Sequence, residues 1–149
     1  MANWCENTLK VIGEEKELKK FVKKIKRKSF LSSFNPTPKE LVNTRAPSLK
    51  EDINLIIKYG ADNWYDWNLK NWGTKWDFEI DPIESIEEGD SEIITYFDSA
   101  WSPPIEGFKD ISIKYPKITF FLSYEEPGMG FKGLAKIKNG IVDDACFDY

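Results

Sequence analysis

Which side chains could do chemistry in this sequence is decided first by one that is missing. The 149 residues contain no histidine, so Ser-His and Cys-His nucleophile systems and imidazole-bearing zinc sites are excluded. Oxygen and ring chemistry remain. Carboxylates such as Asp66, Asp77, Asp98 and Glu125 could hold Mg²⁺, whose hard oxygen ligands do not need histidine. Glu125 and Glu126 invite a general acid–base role, but adjacent residues of an extended segment point to opposite faces. We therefore assign no catalytic residue, no metal ligand and no cofactor.

Ring chemistry centres on Trp64 to Asp77, WYDWNLKNWGTKWD, which holds four of the six tryptophans. A buried tryptophan covers on the order of 200 Å². Six exposed together would show roughly 1,200 Å², well above the few hundred typical of a soluble monomer's largest apolar patch. Most of them belong in a core. Yet leucine or isoleucine would fill a core without an indole N–H to satisfy, and this stretch also supplies Tyr65, Asp66, Asn68, Asn71, Thr74, Lys75 and Asp77. Indoles beside such groups are what stacking sites for bases or cations use. The candidate binding set is Trp64, Tyr65, Trp67, Asn71, Trp72, Lys75, Trp76, Trp101, Tyr124, Glu125, Phe131 and Lys132, with Trp72 and Trp101 the rings expected to face a ligand.

Gly128 to Gly133 (GMGFKG) spells GxGxxG. A strand rather than a helix is expected after it, so pyrophosphate would find no helix N-terminus, and the motif reads as a strand-to-strand turn. Cys5 and Cys146 lack metal spacing and read as reduced, packed thiols.

The elements that must position these groups follow from periodicity. Asn7–Ile12 alternates as a first strand. From Glu14, the residues Leu18, Phe21, Val22 and Ile25 make an amphipathic helix whose lysines form its wet face. Ser29–Phe34 reads as a second short strand, stopped by Asn35-Pro36-Thr37-Pro38. Ser48 to Glu51 has the form of a capping box for a helix through Ile53, Ile56 and Ile57, ending at Gly60. Asp62 or Asn63 caps a short helix that ends at Gly73, and Thr74–Ile80 follows as a strand with Trp76, Phe78 and Ile80 on one face. Glu84–Ser91 is a charged turn to a return strand, Ile93–Trp101. Ser102-Pro103-Pro104 starts a covering helix to about Lys114. Ile118–Tyr124 is a buried strand, and Gly130–Ile137 with Ile141–Tyr149 forms a hairpin around Asn139-Gly140.

This order makes an α+β chain with helices on one face of a mainly antiparallel sheet, close to a ferredoxin-like split βαβ core. We read residues 1–149 as one domain with a helical insertion at about 48–72 and an added C-terminal hairpin. The net charge of −4 disfavours nonspecific nucleic-acid binding. The basic run Lys16–Lys28 and the acidic run Asp77–Asp98 read as solvated faces, although the acidic run also permits mimicry of a nucleic acid. Apolar runs such as Ile118–Leu122 are far short of the roughly 20 residues a bilayer requires, and the start is not signal-like, which places the protein in a cytoplasm.

Met1 to Leu9 (MANWCENTL), Tyr59-Gly60, Trp64 to Trp67 (WYDW), Asn71 to Asp77 (NWGTKWD), Phe97 to Pro104 (FDSAWSPP) and Tyr124 through Gly133 together resemble the YubB-type ferredoxin-like family of phage, plasmid and prophage proteins. The resemblance spans nearly the whole chain. It implies a ferredoxin-like fold without an iron–sulfur cluster and a mobile-element origin, and it implies no reaction. The expectation that follows is a non-enzymatic accessory protein that binds and inhibits or sequesters a host component of a defence pathway. Its alternatives are a nucleotide or small-molecule binder using the aromatic corner with Lys75 or Lys132, and a carboxylate-dependent Mg²⁺ enzyme. The sequence leaves self-association into a homo-oligomer open.

Overall fold

The computed structural model describes residues 2–149. Five strands, β1 (Trp4–Ile12), β2 (Glu92–Ala100), β3 (Thr119–Glu126), β4 (Phe131–Lys138) and β5 (Ile141–Asp148), form one sheet in the order β2-β1-β3-β4-β5. Every neighbouring pair is antiparallel. Because β2 and β3 both run antiparallel to β1, they are parallel to each other, and helix α5 (Ile105–Lys114) connects them across it. That is the split βαβ unit of a ferredoxin-like core, and β4 and β5 extend it as a meander.

Alternation sends Cys5, Leu9 and Val11 of β1, Ile93 and Phe97 of β2, and Phe120 and Leu122 of β3 to one side of the sheet, where all are buried. Helix α1 (Glu15–Lys24) lays Leu18 and Phe21 on that side and keeps its lysines in water. The core is largely aromatic. Phe21 meets Phe30, Phe34, Tyr115 and Phe120 with ring centroids 5.4–6.3 Å apart, and Phe78 stacks on Phe97 at 4.0 Å.

Several expected elements take another form, each for an identifiable reason. Ser29–Phe34 is not a strand: a 3-10 turn at Leu31–Ser33 replaces it, because the Asp77 carboxylate accepts from the amides of Leu31 (2.7 Å) and Ser32 (2.9 Å). Thr74–Ile80 is not a strand either: the chain bends through Trp76, and the rest of the segment joins no ladder. Phe30 donates to the Phe78 carbonyl and Ile80 to that of Arg27, so isolated bonds to residues 27–30 take the place of strand pairing. No hairpin spans Glu84–Ser91 in consequence. The segment is a connection with a turn at Gly89 (φ 86°), and β2 pairs with β1 instead.

The capping box at Ser48 does not form either, because the Ser48 hydroxyl donates to Asp62 at 2.6 Å. Helix α3 (Ile53–Tyr59) starts four residues later than expected, capped by Asp52, which accepts from the Leu55 amide, and it turns Ile53 and Ile57 outward. A short helix, α2 (Lys39–Val42), lies ahead of it. Ser102 caps nothing: its hydroxyl donates to the Gly73 carbonyl at 2.6 Å, and α5 begins after Pro104.

Other expectations hold. Helix α4 (Trp64–Trp72) is capped by Asn63, which accepts from the Asp66 amide at 2.9 Å, and it ends at Gly73 with φ 80°. Asn139 and Gly140 both have positive φ, as a type I′ hairpin turn requires. The GxGxxG letters form the turn between β3 and β4, where the Gly130 amide reaches the Glu126 carbonyl at 2.9 Å. Cys5 is buried, whereas Cys146 is exposed rather than packed. Among the described residues no helix is long and apolar enough to cross a membrane.

Candidate functional site on the helix-free sheet face

The residues that alternate with the core positions share the opposite side of the sheet. Strand register arranges them in rows. One row runs Asp98, Glu6, Glu125, Lys132, Phe147 from β2 to β5; the next runs Tyr96, Thr8, Ser123, Leu134, Ala145. Three carboxylates therefore sit side by side, from the edge strand β2 through β1 to the middle strand β3. Directly opposed like charges destabilise a sheet, and here only the innermost of the three is relieved. Glu125 faces Lys132 across β3 and β4 and accepts from the Tyr149 hydroxyl. That hydrogen bond raises the Tyr149 phenol above its ordinary range.

Around the carboxylates lie exposed rings and aliphatic groups: Trp4, Tyr96, Leu134 and Phe147. Tyr96, Leu134 and Phe147 wall an open depression of about 720 Å³, with Glu6, Asp98, Glu125 and Lys132 along one end. The result is a face with an apolar floor and an acidic row.

The expected site residues separate into four groups. Trp67 and Trp72 are 5% and 3% exposed and pack edge to face at 5.6 Å, and the Trp72 indole N–H donates to the Asn35 carbonyl at 2.9 Å. They are core, so Trp72 does not face a ligand; its N–H is satisfied by backbone. Trp64 is half-buried, and Asn71 donates to the Trp67 carbonyl within α4.

A second group makes an aromatic corner at the sheet rim. The Lys75 ammonium lies 4.5 Å above the Trp76 ring and 5.9 Å from that of Tyr65, and Trp76 meets Trp4 at 6.1 Å. Trp4 and Trp76 are 50% and 39% exposed, and Trp101, the residue after β2, is 41% exposed. The Trp101 backbone has φ 72°, a left-handed conformation unusual for a bulky residue. It is held there by its own amide bonding to the Asn3 carbonyl, by Thr74 donating to Ala100 and by Ser99 donating to Ser102.

Glu125 and Lys132 form the third group, on the open face. The fourth, Tyr124 and Phe131, lies on the helix side at 6.2 Å. The Tyr124 ring lies over Gly133, where a Cβ would collide with it, and its hydroxyl donates to Asp144 at 2.6 Å. Burial, and then that bond, push the Tyr124 phenol well above the ordinary range, while burial pushes the neighbouring Cys5 thiol up to about 12.

The four carboxylates considered for Mg²⁺ do not converge. Asp66 accepts from the Asn63 side chain, Asp77 is engaged by backbone amides, and only Asp98 and Glu125 share a face, with Glu6 between them. Among the described residues no group of three or more Cys, Asp or Glu side chains is arranged to hold a metal.

Sequence reading missed Glu6, Tyr96, Leu134 and Phe147. Period-two alternation was the signal available, but on β2 it sets Ile94 and Tyr96 against Ile93 and Phe97, so apolarity does not say which face is covered.

A search of curated proteins finds no match. The crystal structure of a protein api92 from Yersinia pseudotuberculosis matches with a TM-score of 0.62 at 12% identity, covering 100% of this chain and 98% of that one. At that identity the likeness establishes fold. Residues 72–148 match the family model described as the ferredoxin-like domain in Api92-like protein; this is more than half of the sequence, and the chain belongs to that family.

Proposed function

We propose that the chain is a non-enzymatic accessory protein of the YubB-type, mobile-element setting its motifs resemble. It acts in the bacterial cytoplasm by binding a host component of a defence pathway and inhibiting or sequestering it. The helix-free sheet face is the docking surface, and its occupant is the basic surface of a partner protein.

One observation carries this reading: the side-by-side carboxylates Asp98, Glu6 and Glu125, set at one end of an open apolar depression among exposed Tyr96, Leu134 and Phe147. Folding alone gains nothing from that arrangement, because like charges across strands destabilise and a solvated sheet face ordinarily alternates to polar residues. A cationic partner reverses the sign of the cost, since it neutralises the row while covering the rings. Strands about 4.8 Å apart with about 3.3 Å per residue make a face of roughly 20 by 26 Å. That is about two-thirds of one partner's share of a standard protein interface.

The test is capture from bacteria carrying phage-defence systems, using the parent chain and the double variant Glu6→Lys with Asp98→Lys. The parent should retain a host protein, lose it as salt is raised, and improve phage plating on a strain bearing that system, while the double variant loses both effects by at least about tenfold. A host protein retained equally by the double variant, or no gain in plating on any defence-bearing strain, would overturn the reading.

A second reading attaches to the rim. Lys75 above Trp76, beside half-exposed Trp4, has the parts needed to stack a base and meet a phosphate. Indole fluorescence and melting temperature across a panel of nucleotides decide it, and an unchanged signal removes it.

A further inference from the structure

The two edges of the sheet are finished differently. Along β2 the chain covers part of its own edge, because the Asp81 amide donates to the Tyr96 carbonyl at 3.0 Å and the Thr95 hydroxyl to the Asp81 carbonyl at 3.0 Å. Along β5 there is no such cover among the described residues. The strand's partner is β4, and all but one of its residues are exposed.

The direction of its unused groups follows from one bond. Tyr149 donates to the Gly130 carbonyl, so residues 149 and 130 are a hydrogen-bonded pair, and alternation makes 147/132, 145/134, 143/136 and 141/138 the others. The N–H and C=O groups of Val142, Asp144, Cys146 and Asp148 therefore point away from β4. That is a continuous row of donors and acceptors along an unbroken register.

Edge strands are normally blunted by lysine, proline, a bulge or short length. β5 has eight residues, no proline, no basic residue and no bulge, and it carries Asp143, Asp144 and Asp148. Its charge thus discriminates among strands rather than excluding all of them. A second copy would bring its own three aspartates against these, whereas a basic strand would be drawn in.

We propose that the free edge of β5 takes an extended, lysine- or arginine-bearing segment of a partner protein as a sixth strand. The alternation fixes what that segment must carry. On the helix side its residues lie beside Asp144 and Asp148 and are cations; on the open side they lie beside Phe147 and Ala145 and are apolar, the Asp143 of that side already facing Lys136 on β4. Main-chain bonds supply affinity and the alternating side chains supply selection. This site does not require the sheet face to be the docking surface, since it rests on backbone groups in the plane of the sheet.

The experiment uses isotope-labelled full chain and an eight-residue capped peptide of alternating lysine and valine. Binding should raise the hydrogen-exchange protection of the Val142, Asp144, Cys146 and Asp148 amides at least tenfold. It should weaken at least tenfold for the same peptide methylated at every backbone nitrogen and for a glutamate–valine peptide. Cys146→Pro, which removes one outward N–H, should weaken it by a similar factor while Cys146→Ala binds like the parent; the methylated peptide keeps the test decisive if the proline variant misfolds. Unchanged protection at those four amides, equal binding of the methylated peptide, or protection that grows with protein concentration alone, marking pairing with a second copy, would each overturn the proposal.

Discussion

The two faces of the sheet are built from the same five strands yet follow opposite rules. On the helix side Phe97, Phe120 and Leu122 are buried against α1 and α5, and even the polar Asn7 is 4% exposed with its amide donating to Ser99 at 2.9 Å. On the other side rings stay in water and carboxylates stand beside carboxylates. Apolar burial accounts for most of the first face, where the Glu126 carboxylate is nonetheless buried with one oxygen unpartnered, and it does not account for the second, so a substitution should read differently according to the side on which it falls.

The largest effect belongs to the covered side. Trp72→Ala should cost about 3–5 kcal/mol in urea denaturation, the range for deleting a large buried aromatic; a loss under about 1 kcal/mol would break the contrast at its root. The Cys5 thiol gives a pH version. Its pKa is raised by folding from 9.0 to about 12, so the folded state binds the proton more tightly, and the associated stability is intact below pH 9 and declines as pH rises toward 12. Cys5→Ala should flatten that alkaline decline by about 1 kcal/mol at pH 10. A thiol reagent should meanwhile find Cys146 alone in the native protein.

On the exposed side the signs turn around. Trp101→Gly relieves a left-handed backbone at a half-exposed rim ring and should leave the protein as stable or raise its stability by about 1 kcal/mol in urea denaturation. Glu6→Gln removes the central charge of the acidic row and should stabilise by a few tenths of a kcal/mol. Destabilisation by Glu6→Gln would mean that the row is satisfied as it stands, and the difference between the faces would shrink accordingly.

The frame of the fold was legible because its signals are local. Asn63 and Gly73 bound α4 through chemistry within four residues, Asn139-Gly140 sets its turn by backbone preference, and α1 follows from Leu18 and Phe21 at helical spacing. What failed depended on distant partners. Ser48 lost its capping role to Asp62, and the stretch around Leu31 became a turn because Asp77, 46 positions away, supplies the acceptors. Of the candidate site, Glu125 and Lys132 were found, but Glu6 and Tyr96 become visible only when register sets β1 between β2 and β3. Four tryptophans within fourteen residues suggested one cluster; α4 and the glycine corner instead divide them between interior and rim.

The position of β1 has a further consequence for how the chain can be cut. The family match begins at residue 72, yet the strand that separates β2 from β3 comes from residues 4–12. A polypeptide beginning at 72 holds β2, β3, β4 and β5 with a vacant lane between β2 and β3, so the matched stretch is one half of an interlocked pair rather than an autonomous module. Separately expressed halves should be soluble only together, reassembling as complementary fragments, and any exchange of parts between relatives has to carry the opening strand along with the closing four.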